Sequence, residues 1–224
     1  MARLRVLLTG FGPFPGVTEN PSGWLAETLA GRKPVEAWEP HGHVLSTEWD
    51  VVAALAPDLH ANLQPHVMIH FGVSPLARGL RIERSAHNEV ALRHDAGGRL
   101  PNASSISPGG AARLDTSLPV AAIAAHLRAQ GHVASVSGSC GRYLCNYLYY
   151  RSLEWAKAQG RAALFVHVPL THAQGGPISA DALLHATQET VDVVLRLVAA
   201  RDAAQRAEPR PMPARAALSA EDNS

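Results

Sequence analysis

A chain of 224 residues, 46% hydrophobic and 17% charged, has the size and make-up of one soluble domain with a substantial core. Its formal net charge of +1 gives no electrostatic reason to expect nucleic acid or an anionic membrane surface as partner. No apolar run approaches the ~20 residues that span a bilayer, and two cysteines, Cys140 and Cys145, make a poor disulfide framework, so a reducing cytoplasm is expected.

The first segment, Leu4–Thr9, is a continuous apolar run ending at Gly10. With no cleavage site after it, it reads as a strand buried on both faces rather than as an export signal. Asn20-Pro21 supplies an N-cap and a first-turn proline for a helix to about Ala30, closed by Gly31. A short strand is expected at Val44–Thr47, then a helix capped by Asp50 that runs to about Leu63 and bends at Pro57. Val67–Val73 reads as another buried strand, and Leu80–Ser85 alternates as a strand with one wetter face. Residues 87–110, rich in Gly, Pro, Asn and Ser, form a long loop of the kind that often carries function.

Pro119 opens a helix over Val120–Gln130, ended by Gly131. A strand at Val133–Ser137, a helix at Gly141–Gln159, a strand at Ala162–Val168 and a helix at Ala180–Ala200 complete the pattern. This alternation implies a single-domain α/β fold, a mostly parallel twisted sheet with helices on both faces. The segment from Arg201, with its Pro209-Arg210-Pro211-Met212-Pro213 run, is expected to be a flexible tail.

Twelve histidines raise the question of a metal. The short-spaced pairs His41/His43 and His66/His70 stand without HExxH or CxxC spacing, so no metal is expected.

In open α/β sheets ligands bind beyond the carboxyl ends of the strands. Four marked positions fall there: the Thr9–Phe14 turn, Phe71-Gly72-Val73, the turn before Cys145, and His167. Cys145 opens a helix after Gly138 and Gly141, where the macrodipole and free N–H groups favour a thiolate and can hold an oxyanion. A buried, inert thiol is the common alternative for such a cysteine. His167 is the only polar residue in Leu164–Val168 and could serve as its base, or be a satisfied core histidine. Cys140 is the rival nucleophile, set in the turn rather than on the helix. Glu83 is a carboxylate inside a strand, costly unless paired. It could orient the imidazole, or form an ordinary ion pair with Arg81 or Arg84.

Several blocks occur together in order: Leu7–Phe14 with Asn20-Pro21-Ser22, Arg81-Ile82-Glu83-Arg84 with Asn88, Ser107–Ala112, Ser137–Asn146, and Val166-His167-Val168-Pro169. Over roughly residues 4–200 the chain resembles the pyroglutamyl peptidase I family of cysteine peptidases. The resemblance implies removal of N-terminal pyroglutamate through a thioester acyl-enzyme, without a cofactor. It puts the nucleophile on Cys145, the base on His167 and the orienting acid on Glu83. Oxyanion donors would be the Cys145 N–H and a loop N–H at Arg93. The ring pocket would be Phe11 and Phe14, with Tyr143, Thr47 and the position of His94. Family members are often tetramers, so a homo-oligomer of two or four copies is expected.

The chain departs from the family at His94, where an apolar residue is usual, at the Ser-Cys-Gly-Arg turn before the nucleophile, and at Val73, where Gln is usual. These departures keep open hydrolysis of another small acyl amide or lactam, and a non-catalytic ligand-binding role.

Overall fold

The computed structural model describes residues 3–31 and 38–207. Six strands form one sheet: β1 (Leu4–Phe11), β2 (Trp38–Leu45), β3 (Val67–Val73), β4 (Leu80–Glu83), β7 (Ala134–Ser137) and β8 (Ala162–Val168), in the order β2-β1-β3-β8-β4-β7. All pairings are parallel except β4 with β8. A separate antiparallel pair joins β5 (Ser85–His87) to β6 (Arg113–Asp115).

Alternation along the strands sends side chains to two cores. Val6, Leu8, Ile69 and Val166 pack with helices α1 (Pro21–Ala30), α3 (Val120–Ala129) and α5 (Ala180–Ala207). Leu7, Met68 and Phe165 pack on the other face with α2 (Trp49–Leu63) and α4 (Leu144–Gln159). Burial on both faces is why β1, β3 and β8 are near-continuous apolar runs in the sequence. The expected single-domain α/β architecture is therefore the one observed.

Several boundaries differ, each for a physical reason. β2 begins at Trp38 rather than Val44, pairing with β1 along its whole length. Its Pro40, Gly42 and paired histidines hide it in the sequence, and its edge position is what tolerates the proline. The expected strand Leu80–Ser85 divides after Glu83, and Ser85 onward leaves the main sheet to pair with β6. Helix α4 starts at Leu144, not Gly141, because Gly141 takes φ +84° in the turn before it. Helix α5 continues past Ala200 to Ala207, so the first part of the expected tail is helical, and 208–224 lie outside the described residues.

The N-terminus of α1 forms as the sequence suggests, with Asn20 Oδ1 accepting the Ser22 N–H at 3.1 Å and Pro21 in the first turn. The N-terminus of α2 does not. Asp50 lies in its first turn, and the buried carboxylate that accepts the Trp49 N–H, at 3.0 Å, belongs to Asp95 in the long loop.

Candidate active site

The site lies at the carboxyl ends of β1, β3 and β8. Gly72 of β3 and Arg81 of β4 are the cross-strand partners of His167. Because β4 runs against β8, Glu83 pairs with Phe165, two residues deeper than His167 along the strand. That reversal buries Glu83 completely while keeping Arg81 level with the rim. His167 Nδ1 meets Glu83 Oε1 at 2.8 Å. A carboxylate there fixes the proton on Nδ1 and leaves Nε2 for the other side of the ring.

The Cys145 thiol lies near the imidazole: both line one cavity, and the thiol is among the groups that act on the ring's proton affinity. Cys145 occupies the first turn of α4, whose start has no side-chain cap. The first-turn N–H groups and the positive end of the helix dipole are thus directed at the sulfur. Gly72 makes room for it: a Cβ there would sit 2.9 Å from Cys145 Sγ and 2.7 Å from Phe165 Cζ.

Burial pulls the His167 ring toward lower pKa, but the hydrogen bonds and negative charges of Cys145 and Glu83 outweigh it and raise the group to about 9. The ring therefore holds its proton at neutral pH, the condition for a thiolate–imidazolium pair. Cys140 behaves oppositely. It is buried, and burial first, then the nearby Cys145 and Glu83, pushes its thiol well above the ordinary range. Both sulfurs border the same cavity, and of the two only Cys145 is among the groups that act on His167.

A cavity of about 260 Å³ opens beside the thiol, lined by Phe11, Phe14, Thr47, Val73, Arg93 and Tyr143 together with Cys145 and His167. Its walls are held by the protein's own hydrogen bonds. Thr47 Oγ1 donates to the Gly12 carbonyl at 3.2 Å, and Asn20 Nδ2 donates to the same oxygen at 2.8 Å. The Phe14–Val17 turn closes on itself through two backbone bonds. Tyr143 stands edge-on to Trp49 with ring centroids 5.0 Å apart, and the Arg93 guanidinium lies 4.9 Å from the Tyr143 ring centre. Such a slot, apolar with few polar edges, suits a small neutral ring.

The loop that carries Arg93 is anchored to α2. Trp49 Nε1 donates to the Arg93 carbonyl at 3.0 Å, and Asp95 caps Trp49 and also accepts the Arg99 N–H at 2.8 Å. Burial raises the Asp95 carboxyl, but these backbone bonds and the Arg99 charge more than offset it and hold the group below its usual range. Arg99 in turn pairs with Glu48 at 2.6 Å and Asp50 at 3.0 Å.

The sequence-derived residues fall into two groups. Glu83, Cys145 and His167 meet, and Phe11, Phe14, Thr47, Arg93 and Tyr143 line the cavity beside them. His94 does not line it: its side chain is exposed and only its carbonyl takes part, accepting the Tyr143 hydroxyl at 3.1 Å. Arg142 also stands apart, bound to Glu89 at 2.7 Å. The Arg93 N–H, expected to face an oxyanion, donates to the Ala91 carbonyl at 2.8 Å. Asp95 and Trp49 were not legible as parts of the site, and Gly72 and Asn146 were marked only as members of a strand end and a motif block, without their roles. Asn146 is fully buried next to the thiol and holds His87 and Glu89 of the following loop through three hydrogen bonds. In the sequence it stands as the end of the Ser137–Asn146 block and as a polar residue inside an apolar helix. Among the described residues no cluster of three or more metal-ligating side chains occurs.

The profile of the family described as pyroglutamyl peptidase matches residues 4–191. The pyrrolidone-carboxylate peptidase of Pyrococcus furiosus is 33% identical over 169 residues, 74% of this chain and 81% of that one. Human pyroglutamyl-peptidase 1 is 31% identical over 198 residues, 88% of this chain and 92% of that one. Among solved structures, the pyrrolidone carboxyl peptidase of Pyrococcus furiosus superposes with a TM-score of 0.82 at 29% identity, covering 87% of this chain and 100% of the other. That of Thermococcus litoralis gives 0.80 at 27% identity, covering 94% and 99%.

Proposed function

The chain belongs to the pyroglutamyl peptidase family, and from that premise we propose that Cys145, His167 and Glu83 are the groups with which it removes N-terminal pyroglutamate from peptides. It is a hydrolase, a cysteine peptidase by family. The observation that carries the assignment of residues is the Cys145–His167–Glu83 line, with a 2.8 Å His167–Glu83 contact, opening on a ring-sized cavity.

The chemistry follows from the geometry. The Cys145 thiolate attacks the carbonyl of the pyroglutamyl residue. The Cys145 N–H at the uncapped start of α4 receives the developing negative oxygen. The Arg93 guanidinium, which lines the cavity and has no carboxylate partner among the described residues, is the second donor in reach. The protonated His167 gives its proton to the leaving amine, the C–N bond breaks and a thioester remains. Water, deprotonated by His167, then cleaves the thioester and releases pyroglutamate. Phe11, Phe14, Thr47, Val73 and Tyr143 form the ring pocket. The relatives' names favour this reading over hydrolysis of a different lactam or mere binding. So does the position of His94 and Arg142 away from the cavity, which leaves only Cys140 and Val73 of the departures on its wall.

A reducing cytoplasm suits the two free thiols, and no helix among the described residues is long and apolar enough to cross a membrane. Assembly into two or four copies is part of the proposal, checked by light scattering of the purified chain. The deciding test of function is hydrolysis of a pyroglutamyl-amide fluorogenic reporter. Turnover by the parent chain and none by Cys145→Ala is expected. An inactive parent, or a fully active Cys145→Ala, would overturn the reading.

A further inference from the structure

Glu83 is fully buried, yet only one of its oxygens is bound: Oε1 meets His167, while Oε2 has no hydrogen-bond partner among the described residues. A buried carboxylate in that state requires a compensating charge. His167 alone cannot supply it, because one imidazolium would then have to balance both Glu83 and the Cys145 thiolate. The additional cation in reach is Arg81, whose Nε lies 3.7 Å from Glu83 Oε1. Arg84, the next basic residue, points to solvent.

The same guanidinium reaches the turn that presents the nucleophile. Arg81 Nη2 donates to Ser137 Oγ at 2.9 Å, and Ser137 Oγ donates to the Ser139 carbonyl at 3.2 Å. Ser139 Oγ then accepts from Gly141 N at 3.3 Å and Arg142 Nη1 at 3.1 Å. One path of side chains thus connects the acid, through Arg81, to the turn leading into Cys145. The antiparallel register creates it, since Arg81 is paired with His167 on one side and Ser135 on the other.

We infer that Arg81 is a positioning residue for the reaction, balancing the Glu83 carboxylate so that His167 keeps its orientation and proton, and tying that carboxylate to the Ser137–Gly141 turn that sets Cys145. The inference rests on the catalytic reading above. The groups facing Glu83 from the elements packed on it are His167 of β8, Arg81 of β4, Cys140 of the turn after β7, and Cys145 and Tyr149 of α4. Arg81 is the only permanent cation among them. Without it, the Glu83 and Cys145 charges have one cation fewer to balance them, which moves the acid limb of reactivity upward.

The test compares the parent chain with Arg81→Met and Arg81→Lys. Two pH profiles are measured: kcat/KM on the pyroglutamyl-amide reporter, and the rate of Cys145 alkylation by iodoacetamide, with the modified peptide identified by mass. Arg81→Met is expected to lower kcat about tenfold or more at neutral pH with KM little changed, and to move the acid limb of both profiles up by about one pH unit. Arg81→Lys, which keeps the charge but not the fork, is expected to return the limb toward the parent position. An acid limb in Arg81→Met that coincides with the parent's would overturn the proposal. So would a loss equal at all pH values that Lys does not rescue, the result of a merely structural side chain. Alkylation needs no turnover, so it decides the role of Arg81 even if the parent were inactive on the reporter, a result that would overturn the proposed function and not the Arg81 contact. Melting curves of the two variants identify any that fail to fold, and Arg81→Gln then takes the place of Arg81→Met with the same two outcomes.

Discussion

The position of the Cys145 sulfur depends on an atom that is absent, the Cβ of Gly72. A methyl group at 2.9 Å from Sγ has to displace the thiol from the imidazole, since Phe165 at 2.7 Å blocks the other direction. Gly72→Ala is therefore expected to lower kcat on a pyroglutamyl-amide reporter by about a hundredfold, the scale of a one-ångström misplacement. Melting temperature measured in parallel should fall far less than it does for a core truncation. The two cysteines give a second contrast. Cys145→Ser is expected to abolish turnover, whereas Cys140→Ser, replacing a buried thiol that stays protonated, should keep the greater part of the rate. The pH profile gives a third. In the proposed mechanism His167 gives a proton to the leaving amine, and the ring holds that proton up to about pH 9, so kcat/KM is expected to fall as pH rises through that value. A decline beginning near the ordinary histidine value of about 6.5 would contradict the Glu83 and Cys145 contacts that raise it.

Among the elements, the long loop and helix α2 depend on each other. Asp95 caps Trp49 and receives Arg99, while Trp49 holds the Arg93 carbonyl, so one buried carboxylate sets both the start of a helix and a wall of the cavity. Asp95→Ala should cost about 1 kcal/mol as a lost cap, or more because the partner N–H groups are buried. It should also raise KM for the reporter more than it lowers kcat. Denaturant titration and steady-state kinetics check the two parts, and an unchanged KM would show that the Arg93 segment holds its place without the cap. The sequence pointed to Asp50 for that cap because N-caps are read from neighbours in the chain. Asp95 comes from a segment with no periodicity, and nothing local marks it. The same limit applied to β4, where the alternating residues were visible but the direction of the strand was not.

In the whole molecule the sheet divides two cores, and its α2/α4 side contains histidines kept neutral. Burial, with a smaller effect of the neighbouring His60, pushes His70 down to about 3; burial, with a smaller effect of Arg151, pushes His60 down to about 4. Thr9 Oγ1 meets His70 Nδ1 at 2.7 Å and Ser152 Oγ meets His60 Nε2 at 3.0 Å, so each ring has a hydroxyl partner. In the unfolded chain both rings take up protons near pH 6.5, while in the folded chain they do so only near 3 and 4. The folded state thus binds fewer protons in that window, and stability is expected to fall as pH drops from about 6.5 toward 4. His60→Gln should flatten that slope in denaturant titrations, and an unchanged slope would count against it. By itself the sequence determined the α/β class, the buried strands and the three residues proposed as acid, base and nucleophile. Those depend on apolar runs, helix-start chemistry and ordered motif blocks, all carried by residues near one another in the chain. Only the tertiary structure decided that β4 runs backwards and buries Glu83 below His167, that Gly72 makes space for the thiol, that Asp95 caps α2 from the long loop, and that Arg81 reaches both Glu83 and Ser137. These are contacts between segments far apart in sequence, fixed by strand direction, register and packing, which no local pattern encodes.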